Sequence, residues 1–207
     1  MDWLRNDISC ACSFVCLSAT RALKKNIGFQ IDLSLGIEAA TYLEVGIGSG
    51  LLGGILIKNG KRFVGIDNNK GLGPDLMGVL PYLPFGANSF DVVMCFQVLE
   101  HIPVSMLKKS LTELARVSKI GVVLSLPEPD DNTGLKNRFA KRFFKIFHLP
   151  KRWSPRSVPI DSQHFWELGC GLEIGEFISL AGKAGMKLKT NFRNPYNYYH
   201  HFFLFVK

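Results

Sequence analysis

Short apolar runs alternating with helix-patterned segments, a glycine-rich turn closing the first run, and an acid closing the second predict an α/β fold. Such alternation builds βαβ units on a mostly parallel, doubly wound sheet. The glycine turn is Tyr42-Leu43-Glu44-Val45-Gly46-Ile47-Gly48-Ser49-Gly50, and the acid is Asp67, directly after Arg62-Phe63-Val64-Gly65-Ile66. Alternate glycines let the backbone turn sharply and approach a ligand, while a carboxylate at the tip of the next strand can bind ribose hydroxyls. The 207 residues, 47% of them hydrophobic, suit one domain with a sizeable core spanning 1–207.

Taken in order, 1–40 is a leading helical segment. Its apolar stretch 8–19 is too short to span a bilayer and lacks a clearly positive leader, because Asp2 and Asp7 offset Arg5. A packed helix ranks above a signal peptide or an interfacial anchor. Residues 43–45 form the first strand, 51–58 a helix opened by the glycine turn, and 63–66 the second strand. The next unit is shortened, since 68–80 holds Gly71, Gly73, Pro74 and Gly78, too many breakers for a full crossover helix. Residues 90–95 are a buried-type strand. The strongest helix is 103–117, with Pro103 in its first turn and Met106, Leu107, Leu111, Leu114 and Val117 on one stripe. An apolar strand follows at 121–126, then an insertion or lid at 127–170, a helix at 175–184, and closing strands at 187–192 and 201–206.

The formal charge of +8 allows anionic partners, but a solvated basic surface accounts for it equally well. Five cysteines, Cys10, Cys12, Cys16, Cys95 and Cys170, are an odd set without a paired framework, which points to reduced thiols in a cytoplasmic protein. No fourth ligand follows the first three at metal spacing, so packing ranks above a zinc site.

The glycines admit two registers. Gly48-Ser49-Gly50-Leu51-Leu52-Gly53 fits the dinucleotide spacing GxGxxG, whereas Glu44 to Gly50 fits ExGxGxG and puts the glycines directly after the strand. Downstream, Leu83-Pro84-Phe85, then Asn88-Ser89-Phe90-Asp91-Val92-Val93, then Val98-Leu99-Glu100-His101-Ile102 occur in sequence. With these motifs the chain resembles the class I S-adenosylmethionine-dependent methyltransferases of type 11, over roughly 41–126. Gly73-Pro74-Asp75, His164-Phe165-Trp166-Glu167-Leu168-Gly169 and the closing aromatic run are similar to a compact bacterial and archaeal subgroup.

The resemblance implies a Rossmann-like, mostly parallel seven-stranded sheet with an antiparallel closing strand, and S-adenosyl-L-methionine as cofactor. It implies that Gly46, Gly48 and Gly50 line the methionine and ribose part, that Glu44 holds the loop or a water, and that Asp67 takes both ribose hydroxyls. Asn68 would lie beside the adenine, with Leu80 also in the cofactor set. Cys95, Phe96 and Gln97 would face the sulfonium. Against this stand plainer readings: glycines of a simple tight turn, and Asp67 as a helix cap. The family's Gly-Asp before LPF is Gly78-Val79 here, so Asp75 or a backbone carbonyl must replace the acid, or affinity falls by roughly 1 to 3 kcal/mol.

Methyl transfer needs alignment and a dry pocket, and a base only where the acceptor must lose a proton. His101 and His164 are the candidate catalytic residues, each weighed against a packing role. A metal-dependent variant of this fold has Glu-x-x-Glu-His where this chain has Gln97-Val98-Leu99-Glu100-His101, and an amide poorly replaces a carboxylate around a hard cation, so no metal is expected. A basic amphipathic helix at 139–153, carrying Phe139, Phe143, Ile146 and Phe147 on one stripe, reads as a lid, a core helix or a peripheral membrane contact. Tyr196, Tyr198, Tyr199, Phe202 and Phe203 could stack on bases, a nucleic-acid reading ranked below a buried closing strand. The favoured function is methylation of a small-molecule or lipid-like acceptor, with a non-catalytic cofactor-binding protein next and an NAD(P)-dependent oxidoreductase last.

Overall fold

The computed structural model describes residues 21–129, 163–197 and 199–207. The apolar stretch 8–19, the cysteines at 10, 12 and 16, and the basic helix at 139–153 lie outside the described residues. The elements are α1 (Arg21–Leu35), β1 (Thr41–Val45), α2 (Leu51–Lys58), β2 (Arg62–Asp67), β3 (Leu76–Met77), β4 (Phe90–Phe96), α3 (Val104–Val117), β5 (Ser118–Pro127), β6 (Glu167–Leu168), β7 (Gly171–Leu172), α4 (Ile174–Lys183), β8 (Lys187–Arg193) and β9 (His200–Val206). Seven strands form one sheet in the order β3-β2-β1-β4-β5-β9-β8, and β6 pairs with β7 separately.

From β3 to β5 every neighbour is parallel, whereas β9 runs antiparallel to both β5 and β8. The closing strand is therefore antiparallel as expected, but it is lodged inside the sheet and leaves β8 at the edge. The shortened unit is also present: a single 3-10 turn, Lys70–Leu72, separates β2 from the two-residue β3.

Strand alternation divides the apolar side chains between two cores. Leu43, Val93, Cys95, Leu124, Phe203 and Phe205 face one side, where they meet Leu107, Leu111 and Leu114 of α3 and Phe177 of α4. Tyr42, Val92, Met94, Phe96, Val123 and Phe202 face the other, against Leu52 and Leu56 of α2 and Phe29 and Leu33 of α1. The α3 leucines recur at the spacing that puts them on one helical stripe, and fully burying each contributes about 1.5 to 3 kcal/mol. Pro103 occupies the cap of α3, one position before the helix proper. Trp166, Leu168 and Cys170, the last buried residues of the segment read as an insertion or lid, are followed by the buried Leu172, and the two leucines and the tryptophan belong to the first core. Chain order reverses between β1 and β4, and ligands of doubly wound sheets settle beyond the carboxyl ends of the strands at such a point.

Candidate active site

The turn after β1 needs its glycines for two different reasons. Gly46 has φ +82°, and a Cβ there would collide with Val98 Cγ2. Gly48 and Gly50 also have positive φ, at +51° and +69°, but a Cβ on either would meet nothing within 4 Å, which is the open space a bound ligand requires. The Gly46 N–H donates to the Ile66 carbonyl at 2.8 Å and so ties the turn to the end of β2.

Asp67 is held by backbone on both oxygens. Oδ2 accepts from the Ile47 N–H at 3.0 Å and Oδ1 from the Asn69 N–H at 2.8 Å. A carboxylate has about four acceptor positions, so two remain for hydroxyl groups. The helix-cap alternative falls to the next side chain but one, because Asn69 Oδ1 caps the 3-10 turn by accepting from the Gly71 N–H at 2.9 Å. Beneath the turn, Glu44 is buried and its Oε2 has no hydrogen-bond partner among the described residues. Burial, with the neighbouring Asp67 charge, pushes its carboxyl up to about 8.

A cleft of about 550 Å³ opens over these strand ends, lined by Gly46, Asp67, Asn68, Val79, Leu80, Val98, His101, Met106 and Gln163 among others. It thus brings Gly46, Asp67, Asn68, Leu80 and His101 of the expected set together. Phe96 and Gln97 are not among its lining residues. Phe96 follows Val92 and Met94 onto the opposite sheet face, 6.4 Å from the Phe202 ring, and Gln97, at φ +54°, donates from Nε2 to Ser125 Oγ at 3.2 Å. Cys95 is sealed in the first core, where burial pushes its thiol up. Val79 is half exposed on the rim. Asp75 is not among the lining residues of the cleft, and its Oδ2 accepts from the Gly65 N–H at 2.7 Å, which fastens the edge of β2.

The far wall is made by residues that were not among the expected site residues. Val98, Ile102, Pro103, Met106 and Gln163 line it. Glu100 is wholly buried beside them, neither of its carboxylate oxygens has a partner among the described residues, and burial, with the Glu167 charge, pushes its carboxyl up to about 8. His101 is exposed to the cleft, and its ring stands edge-on to His164 with centroids 4.8 Å apart. His164 is fixed from behind: Nδ1 bonds Glu167 Oε1 at 2.7 Å, and the Tyr199 hydroxyl donates to the same oxygen at 2.8 Å. Segment 163–167 is docked on this wall by the Phe165 N–H to the Glu100 carbonyl at 2.9 Å and Trp166 Nε1–H to the Ile102 carbonyl at 2.9 Å. The docking of 163–167 left no local mark in the sequence.

A family profile described as a methyltransferase domain matches residues 43–126. Among solved structures, the chain is similar to magnesium protoporphyrin IX methyltransferase of Synechocystis with bound S-adenosylhomocysteine, at TM-score 0.63 and 17% identity over 90% of this chain and 84% of that one. It is similar also to a TehB-like S-adenosylmethionine-dependent methyltransferase of Corynebacterium glutamicum (TM-score 0.61, 13% identity, 97% and 96% covered) and to a methyltransferase of Methanosarcina mazei (0.57, 17%, 84% and 96%). No curated protein matches the chain. Sheet order, glycine turn and strand-end cleft are those of a Rossmann-like, mostly parallel doubly wound fold. The methyltransferase-domain profile is matched over 43–126, and the fold over most of the chain is similar to that of S-adenosylmethionine-dependent methyltransferases.

Proposed function

We propose that the cleft takes S-adenosylmethionine with its ribose on Asp67 and passes the methyl group to a small-molecule or lipid-like acceptor entering along the His101 wall. The observation that carries this reading is Asp67, whose two backbone hydrogen bonds fix the carboxylate at the strand tip before any ligand arrives. Open space over Gly48 and Gly50 and the unpartnered Glu44 Oε2 suit the remainder of the cofactor. When bound, the cofactor supplies an electrophilic methyl on sulfur, and the chain contributes alignment and exclusion of water. Leu80, Val98, Ile102 and Met106 make the wall apolar enough for that purpose, with His101 its polar group on the acceptor side. A small-molecule acceptor is supported by the Synechocystis relative, named for a tetrapyrrole substrate.

A second reading, a cofactor-binding protein without transfer activity, draws on the exposed Val79 where an adenine-binding acid would stand. Incubation with cofactor labelled in its methyl group and a cell lysate separates the two. Label in a small-molecule or lipid fraction supports transfer, whereas cofactor binding by calorimetry with no labelled product across all fractions supports the second reading.

A further inference from the structure

We propose that Glu100, His101 and His164 form a binding site for one divalent first-row transition-metal ion in the wall of the cleft. One ligand atom from each lies within 4.8 Å of the others. Bonds of about 2.1 Å bring ligands to about 3 Å from one another, so modest side-chain rotations close the set.

Two further observations point to an ion. Glu100 is completely buried with both oxygens unpartnered among the described residues, a costly arrangement that a cation relieves. Both imidazoles are also oriented from behind. His164 Nδ1 meets the Glu167 carboxylate at 2.7 Å and His101 Nδ1 the Gln163 carbonyl at 3.3 Å. A carboxylate behind a histidine is the usual support of a metal-ligating ring, and a ring that carries its proton on Nδ1 ligates through Nε2.

The donor set selects the class of ion. Two imidazoles and one carboxylate suit manganese, iron, cobalt or zinc, whereas magnesium and calcium favour oxygen alone. Gln97, the amide that argued against a metal in the sequence, is no member of the set, because it bonds Ser125. The third ligand comes instead from His164, far downstream. His101 also lines the cleft, so an ion held by this set would lie at the cleft wall.

Mn²⁺ alone is the probe, since thiolates elsewhere in the chain hold it poorly. Titrated into the full chain without cofactor, it should lose its free-ion paramagnetic resonance signal up to one equivalent per chain. His101→Ala, at an exposed position, and His164→Asn should each weaken binding at least tenfold, and Glu100→Gln should do the same with the fold checked by circular dichroism. If Glu100→Gln fails to fold, His101→Ala decides. Mn²⁺ that stays free at millimolar concentration, or binding unchanged in His101→Ala, overturns the site. No cofactor enters the titration, so a failure here leaves the methyltransferase reading standing, and a failure of cofactor binding leaves the metal site standing.

Discussion

The two ends of the cleft both carry a carboxyl group, and they treat it in opposite ways. At the cofactor end, Asp67 is half-exposed and accepts two backbone N–H bonds from chain within a few residues of the β1 and β2 tips. At the acceptor end, Glu100 is buried with no partner among the described residues and faces two histidines, one contributed by a segment that folds back from beyond β5. The first end is finished by the backbone alone. The second is a cluster of donor atoms around a buried carboxyl that the described residues leave without a hydrogen bond.

The comparison breaks first at Asp67. Asp67→Ala should lower cofactor affinity on the order of 100-fold, about 3 kcal/mol for a charge-assisted pair of hydrogen bonds, in isothermal titration; unchanged affinity would remove the ribose assignment. Next comes the turn. Gly46→Ala must displace Val98 and hold alanine at positive φ, so chemical denaturation should show a loss of about 2 to 3 kcal/mol. Gly48→Ala, where a methyl meets open space, should cost only about 1 kcal/mol in stability yet still reduce cofactor binding. Equal stability losses at the two glycines would show that the turn is merely tight.

A third test concerns Glu44. The folded chain keeps this proton up to about 8, while the ordinary value is 4.5, so between those limits the folded state binds more protons than the unfolded one. Stability therefore falls as pH rises through that window and levels off above it. Glu44→Gln should flatten part of the decline, on the order of 2 kcal/mol by pH 8, in melts recorded from pH 5 to 9; a slope identical to the parent would mean that Glu44 is already ionised. The smallest effect is expected at the rim. Val79→Asp should tighten cofactor binding roughly tenfold, about 1.4 kcal/mol, and no gain would show that the adenine does not reach this position.

What was legible in the sequence follows the same division. The glycine turn, Asp67 and α3 are local patterns, fixed by φ requirements and helical spacing over fewer than twenty residues, and each was read where it lies. On the opposite wall only His101 and His164 were named, because the contacts that join the turn after β4 to residues 163–167 leave no periodicity. Phe96 and Gln97 stand apart from the cleft lining for a simpler reason: pleat alternation sends Phe96 to the far face, and a left-handed backbone at Gln97 turns its amide to β5. Alternation was available from the sequence and would have excluded Phe96.

The position of β9 has a consequence for biosynthesis. His200–Val206 fills a slot between two strands made earlier and brings Phe202, Phe203 and Phe205 into both cores. Until that segment leaves the ribosome, the nascent chain exposes an open β5 edge and apolar faces on both sides of it, the surface on which chaperones act and aggregates begin. The glycine turn and Asp67 are translated early, yet the sheet that carries them is completed only when β9 follows β8.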